Sequence, residues 1–184
     1  NKLKITPLKL EGTYIVDSNS FKDSRGVFSR YFCKKEFSDY GLNTEWVQIN
    51  NIFSKELGTL RGLHFQQAPK AEVKLVRCIK GSIWDVVVDL RSDSETFGKW
   101  FGATLSEENR TMMYAPKGFA HGFISLEPNT EILYSASDFY EPVFERALIW
   151  NDNDIKIYWP IDPIVISDKD NAADTLKKTT PIKL

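Results

Sequence analysis

The stretch Ile83-Trp84-Asp85-Val86-Val87-Val88-Asp89-Leu90-Arg91 decides the fold class. It reads as a strand entered from the turn Lys80-Gly81-Ser82. Side chains alternate across a strand, so Trp84, Val86, Val88 and Leu90 share one face while Asp85, Val87 and Asp89 share the other. One face is apolar and the other carries acids. In a barrel the acidic face looks into a polar cavity; in an ordinary sandwich it meets water, and the stretch alone leaves both open.

Outward from it, the chain shows short apolar runs broken by turn residues and little helical periodicity. Strands are expected at residues 14–17, 27–32, 46–53, 73–79, 100–105, 111–115, 122–126, 132–136 and 148–150. The loops between them are too short for βαβ crossovers, so the sheets should be antiparallel. Two short helices complete the reading. Residues 34–40 form one, stopped by Gly41, and residues 171–177 form a capped one in the tail. The whole chain, 1–184, is expected to be a single all-β domain, a sandwich or barrel with no internal repeat or linker.

Composition excludes several function classes. Lys and Arg total 24 against 25 Asp and Glu, so no global basic field recruits nucleic acid or an anionic membrane. No apolar run is long enough to cross a bilayer, and Asn1-Lys2-Leu3-Lys4-Ile5-Thr6-Pro7 contains no signal-peptide core. Cys33 and Cys78 lie in apolar surroundings without paired spacing, which suits a reducing compartment. The expectation is a soluble, cytoplasmic protein.

Chemistry centres on two histidines. His64 stands in Gly58-Thr59-Leu60-Arg61-Gly62-Leu63-His64-Phe65-Gln66, and His121 in Pro116-Lys117-Gly118-Phe119-Ala120-His121-Gly122-Phe123. Histidine titrates nearest neutrality and serves readily as a base, although a histidine between Leu and Phe is also an ordinary half-buried strand residue. There is no His-x-His or Cys-x-x-Cys pair for a metal. Neither a Gly-x-Gly-x-x-Gly nor a P-loop glycine motif is present for a nucleotide cofactor. What remains is a base flanked by Arg61 and Lys74, which suits an anionic substrate or a reaction that builds negative charge on oxygen.

The residues 58–66 and 81–91, the run Pro116 to Phe123, and Trp159-Pro160 followed by Ser167-Asp168-Lys169-Asp170 resemble the dTDP-4-dehydrorhamnose 3,5-epimerase family over nearly the full chain. The resemblance implies a cupin jelly-roll barrel with a few short peripheral helices. It also implies an isomerase without metal or organic cofactor, acting on a nucleotide-linked 4-keto-6-deoxy sugar in deoxysugar biosynthesis. The partner it implies is a second copy of the chain, in a homodimer whose N-terminal strands reach across.

Carried over residue by residue, it makes His64 the base, Asp170 its carboxylate partner, Lys74 the cation at the enolate oxygen and Tyr134 the acid on the opposite face. His121 and Asp85 are assigned to the pocket without a step. Arg61 suits pyrophosphate oxygens, Gln48, Asn50, Tyr140 and Glu145 line the same groove, and Arg25 and Phe28 come from the partner chain. Read as bare residues, Asp170 would only favour a helix start, Lys74 would be an exposed strand lysine and Phe28 a core phenylalanine. The chain departs from the family's common polar pattern at Asn50-Asn51-Ile52-Phe53-Ser54, a difference that bears on the sugar or base more than on the reaction. Sugar 3,4-ketoisomerisation and non-catalytic sugar-nucleotide binding are the alternatives. His64 is followed by Phe65-Gln66 rather than a second histidine motif, which weighs against the first.

Overall fold

The computed structural model describes residues 2–184. The chain begins with β1 (Leu3–Pro7), β2 (Tyr14–Ser18), the small hairpin β3 (Phe21–Asp23) and β4 (Gly26–Phe28), and helix α1 (Lys34–Asp39). The body follows as β5 (Gln48–Ser54), β6 (Thr59–Gln66), β7 (Lys74–Lys80), β8 (Ser82–Asp89), β9 (Trp100–Ser106), β10 (Met112–Ala115), β11 (Phe119–Ser125) and β12 (Thr130–Ala136). The tail adds β13 (Glu145–Ala147), β14 (Val165–Ile166) and α2 (Asp168–Asn171), with single 3-10 turns at Pro142–Phe144 and Leu176–Lys178.

One sheet runs β1-β2-β10-β7-β12-β5 and the other β13-β6-β11-β8-β9. They face each other as the expected jelly-roll barrel, around Val76 and Cys78 of β7, Val87 of β8, Leu105 of β9, Met113 of β10, Phe123 of β11 and Ile132 of β12. The outer faces are covered too. Phe37 of α1 and Leu3 and Ile5 of β1 pack on Leu75, Met112 and Tyr114, while Leu148, Ile155 and Ile182 of the tail pack on Val86, Val88 and Leu90. The strand β8 is therefore buried on both faces, and Asp85, Val87 and Asp89 are all 0% exposed. This excludes the water-facing alternative. Only one of the two acids belongs to the site, because Asp89 is held at the far end by Arg91, Ser94 and Thr96.

The differences from the sequence reading are local. Residues 29–32 are not a strand: the Asp23 carboxylate accepts from the Arg25 N–H in the turn of a tight β3–β4 hairpin whose pairing ends at Phe28 with Phe21, and beyond it the Arg30 N–H donates to the Ser18 hydroxyl instead of a strand carbonyl. Pairing with β6 begins at Glu145 instead of residue 148; Leu148 still exchanges two backbone hydrogen bonds with Leu63 of β6 and bridges to Asp174 on its other side. The tail helix is Asp168–Asn171 and not 171–177: the Ser167 hydroxyl accepts from the Asp170 N–H and caps it there, it ends at Ala172, and Asp174 bridges to Leu148. All main ladders are antiparallel, but β14 runs parallel to β6, with Val165 opposite Thr59 and Ile166 opposite Leu60. No helix among the described residues is long and apolar enough to cross a membrane.

Candidate active site

Arg61 and His64 are three residues apart on β6 and would face opposite ways in a regular strand. The register of β6 against β11 slips between the pairs His64 with His121 and Arg61 with Phe123, so both side chains enter the barrel. Gly62 makes this possible. It adopts φ 116°, and a Cβ there would lie 2.8 Å from Gly122 Cα and from the His121 carbonyl oxygen.

A second close approach brings the tail to the mouth of the barrel. At Gly58, with φ 78°, a Cβ would meet Ile164 at 2.9 Å; without one, the Ile164 N–H donates to the Gly58 carbonyl and β14 docks on β6. Ser167 then caps α2, and the next turn aims Asp170 at β6. Asp170 Oδ1 lies 2.7 Å from His64 Nε2, and Oδ2 accepts from the Gly62 N–H at 3.0 Å. Burial alone would push the Asp170 carboxyl up, but the hydrogen bonds from His64 and Gly62 hold it below its ordinary value. An ionised Asp170 can only accept, so His64 Nε2 carries the proton and Nδ1 keeps a free lone pair.

A second pair lies deeper. His121 Nε2 is 2.6 Å from Asp85 Oδ1, with the imidazole 7% and the carboxylate 0% exposed. Burial pushes the Asp85 carboxyl up against the pull of His121 and Lys74, and among the described residues its Oδ2 has no hydrogen-bond partner. Asp85, grouped with the substrate-binding residues on sequence, lies behind His121 and reaches the cavity only through that ring.

The cavity between the dyads measures about 450 Å³ and is lined by Arg61, His64, Lys74, His121, Tyr134 and Asp170 among others. Lys74 is 8% exposed, not the open strand lysine of the bare reading, and its ammonium sits 5.6 Å from the centre of the Tyr134 ring. Burial raises the Tyr134 phenol above its ordinary value, Asn50 pulls it down by hydrogen bonding, and Glu72 and Glu145 add to the rise. Arg61 is braced by Ser54 Oγ and the Phe53 carbonyl of β5.

Beside Tyr134 opens a shelf of about 310 Å³ lined by Gln48, Asn50, Glu72, Tyr134, Ala136 and Tyr140. Buried Gln66 donates to the Phe139 carbonyl and accepts from the Glu141 N–H, while Gln48 accepts from the Tyr140 N–H. These bonds fix the segment that presents Tyr140. The Tyr140 hydroxyl donates to Glu145, which also meets Lys169 at 3.3 Å.

Ten of the site residues named from sequence are thus gathered around one groove, with Asp85 just behind it. Arg25 and Phe28 are not: they sit on the exposed β3–β4 hairpin, where Arg25 pairs with Asp23, and Phe28 is 59% exposed instead of in the core. The sequence reading missed Glu72, Lys169 and the apolar wall of Ile52 and Phe123. Lys169 stands in the quoted Ser167-Asp168-Lys169-Asp170, and Glu72 lies two positions before Lys74, on the same side of an extended chain. Among the described residues no group of three His, Cys, Asp or Glu is placed to hold a metal ion.

The sequence profile of the dTDP-4-dehydrorhamnose 3,5-epimerase family matches residues 7–178. The dTDP-4-dehydrorhamnose 3,5-epimerase of Shigella flexneri is 41% identical over 169 residues, 91% of this chain and 93% of that protein. The crystal structure of the Elizabethkingia anophelis dTDP-4-dehydrorhamnose 3,5-epimerase superposes with a TM-score of 0.93 at 40% identity, covering 98% of this chain and 100% of that one. A Legionella pneumophila dTDP-6-deoxy-D-glucose-3,5-epimerase, solved in complex with dTDP-4-keto-L-rhamnose, also gives 0.93, at 34% identity over 99% of this chain and 98% of its own. Profile, sequence and fold agree over nearly the whole length, and the chain belongs to the dTDP-4-dehydrorhamnose 3,5-epimerase family of isomerases.

Proposed function

We propose that this chain inverts C3 and C5, or one of them, of a dTDP-linked 4-keto-6-deoxyhexose, by removing the proton next to the ketone and returning one on the opposite face. The observation that carries the reading is one cavity holding a base with a free nitrogen, a buried cation and a protonated phenol. His64 Nδ1 takes the proton, and Asp170 stabilises the imidazolium that forms. The electrons move onto the C4 oxygen, where the Lys74 ammonium meets the developing charge. Tyr134 then gives its proton to the carbon from the other side, and solvent restores the phenol as it takes the proton from His64. Arg61 faces the diphosphate, and the shelf of Gln48, Asn50, Tyr140 and Glu145 takes the rest of the nucleotide.

The reading extends to a soluble, cytoplasmic homodimer whose 184 residues work as one unit. Both cysteines are free thiols, which accords with a reducing compartment. The exposed β3–β4 hairpin, with Phe21, Val27 and Phe28 uncovered, suits an arm that carries Arg25 and Phe28 into the partner's groove. Mixing chains tests this: Arg25→Ala with His64→Ala should recover one working site per heterodimer. No recovery above the separate variants would place Arg25 in its own chain's function.

Proton NMR in deuterium oxide with dTDP-, CDP- and GDP-linked 4-keto-6-deoxy sugars tests the reaction itself. Label should enter C3, C5 or both of the dTDP sugar, with inversion. Absence of label from every substrate would overturn the reading. Tyr134→Phe should retain deuterium entry far better than product formation, because the base and Lys74 remain and His64 can return the proton to its original face. Equal losses of the two would make Tyr134 a positioning group.

A further inference from the structure

Glu72 has no part in the scheme above, yet it stands where the sugar cavity meets the nucleotide shelf. It lies in the segment just before β7 and lines the shelf with Gln48, Asn50, Tyr134 and Tyr140. Its Oε1 is 3.4 Å from the Lys74 ammonium, and the two side chains are only 13% and 10% exposed. Among the described residues Lys74 has no other ion pair, and the same ammonium sits against the Tyr134 ring. A flexible lysine has three rotatable donors and many rotamers, so a partner is what fixes where its charge stands.

A carboxylate is also the wrong charge for a groove that receives a diphosphate. Its presence beside Lys74, next to a cavity that also holds Arg61 and Lys169, lowers affinity for an anion, so recognition of the nucleotide does not account for it.

We propose that Glu72 is a positioning residue, holding the Lys74 ammonium against Tyr134 so that the oxyanion-binding cation and the proton-donating phenol keep a fixed relation to the substrate. The inference rests on the epimerase reading and deepens it. Glu72 is faced by Lys74, His121, Asp138 and Tyr134, and Tyr134 in turn by Glu72, Lys74, Asn50, Tyr140 and Glu145. Burial raises the Glu72 carboxyl above its ordinary range and Lys74 draws it back. The Glu72 charge in turn helps keep Tyr134 protonated. Removing that charge at constant volume therefore has two consequences: the ammonium is released, and the phenol ionises at lower pH.

The test is Glu72→Gln beside Glu72→Asp, with kcat, KM and pH profiles for the dTDP-linked 4-keto-6-deoxy sugar. Glu72→Gln should lose about tenfold in kcat with KM changed far less, because misplacing a catalytic group costs rate and not binding. The alkaline limb of kcat, where Tyr134 ionises, should move to lower pH. Glu72→Asp, which keeps the charge, should restore that limb at least in part. A wild-type kcat with an unmoved limb would overturn the proposal, as would a loss of kcat that follows a fall in Tm and leaves the limb in place. Tyrosine-labelled NMR titration of the free protein, with Tyr134→Phe to identify the signal, gives an arm independent of turnover. If the wild-type chain turned over none of the sugars, the epimerase reading would fail, while an acid-ward shift of the Tyr134 titration in Glu72→Gln would still uphold the coupling. No shift would sink it.

Discussion

The two histidine–aspartate pairs of this barrel are built on neighbouring strands and directly face each other in the ladder, His64 of β6 opposite His121 of β11. Chemically they are the same pair at the same separation, 2.7 Å in one and 2.6 Å in the other. Their surroundings make them opposites. His64 is 36% exposed at the cavity, and both oxygens of its carboxylate partner are satisfied, one by the imidazole and one by the Gly62 N–H. His121 is 7% exposed, and one oxygen of Asp85 has no hydrogen-bond partner among the described residues. The hydrogen bonds therefore hold Asp170 ionised, whereas burial pushes Asp85 toward its neutral form. A dyad that is to accept a proton in the reaction needs the first arrangement, because a committed anion favours the imidazolium. The second suits a fixed hydrogen-bonding wall.

The largest effect that can break this contrast comes from the two imidazoles. His64→Asn should cut deuterium exchange at C3 and C5 by roughly 10²–10⁴-fold, the span of general base catalysis, while dTDP binding measured by calorimetry is kept. His121→Asn should cost much less in exchange. If the two variants lost exchange equally, or if His121→Asn lost more, the division of labour argued from exposure and carboxylate state would be wrong.

Asp170→Asn comes next. It removes a hydrogen bond to a charged group, worth about 1.5–3 kcal/mol, which corresponds to about 10–100-fold in rate if the imidazolium is stabilised in the transition state. The stability effect has a defined sign. The folded pKa of Asp170 is depressed, so its contribution is present above the ordinary aspartate range and is lost as pH falls through the folded value. Wild type should exceed Asp170→Asn in urea stability at pH 7, and the gap should close below about pH 4. A changed Tm with an unchanged rate would reduce Asp170 to the helix-start role that its position after Ser167 also permits.

How much of this was legible in the sequence differs between the two pairs for a physical reason. The choice of a barrel came from the family resemblance. Strand alternation in 83–91 put Asp85 and Asp89 on one shared face, and the two histidines stood out as the chain's candidate bases, so an all-β domain and its chemistry-bearing residues could be read locally. That β8 is covered on both faces could not, because the cover is Leu148, Ile155 and Ile182 from a tail without regular pattern. The approach of Asp170 to His64 spans 106 positions and depends on a two-residue parallel strand docked at Gly58, far too short to give a periodic signal. Only the family resemblance supplied it. The end of β4 at Phe28 and the start of α2 were missed for the same local reason: single hydroxyls, Ser18 on the Arg30 N–H and Ser167 on the Asp170 N–H, take the backbone donors there.

The smallest effect should come from Asp85→Asn, and its value lies in its sign. The folded pKa of Asp85 is raised, so its stabilising contribution is present below the ordinary aspartate range and is lost as pH rises through the folded value. This is the reverse of Asp170. At pH 7 and above, the wild type bears the cost of a charge buried with one unpaired oxygen; an asparagine bears no charge and can still offer its Oδ1 to His121 Nε2. The price of the substitution should therefore be small there, within about 1 kcal/mol, since a neutral hydrogen bond replaces the charged one. As pH is lowered toward 4 the wild type gains the proton it favours and the variant gains nothing at this position, so the difference in favour of wild type should widen. Urea unfolding of both proteins between pH 4 and 8 measures it. A gap that narrows with falling pH, as expected for Asp170→Asn, would mean that Asp85 is held ionised by His121 and Lys74 after all, and the two dyads would then be electrostatic equals distinguished only by their access to the cavity.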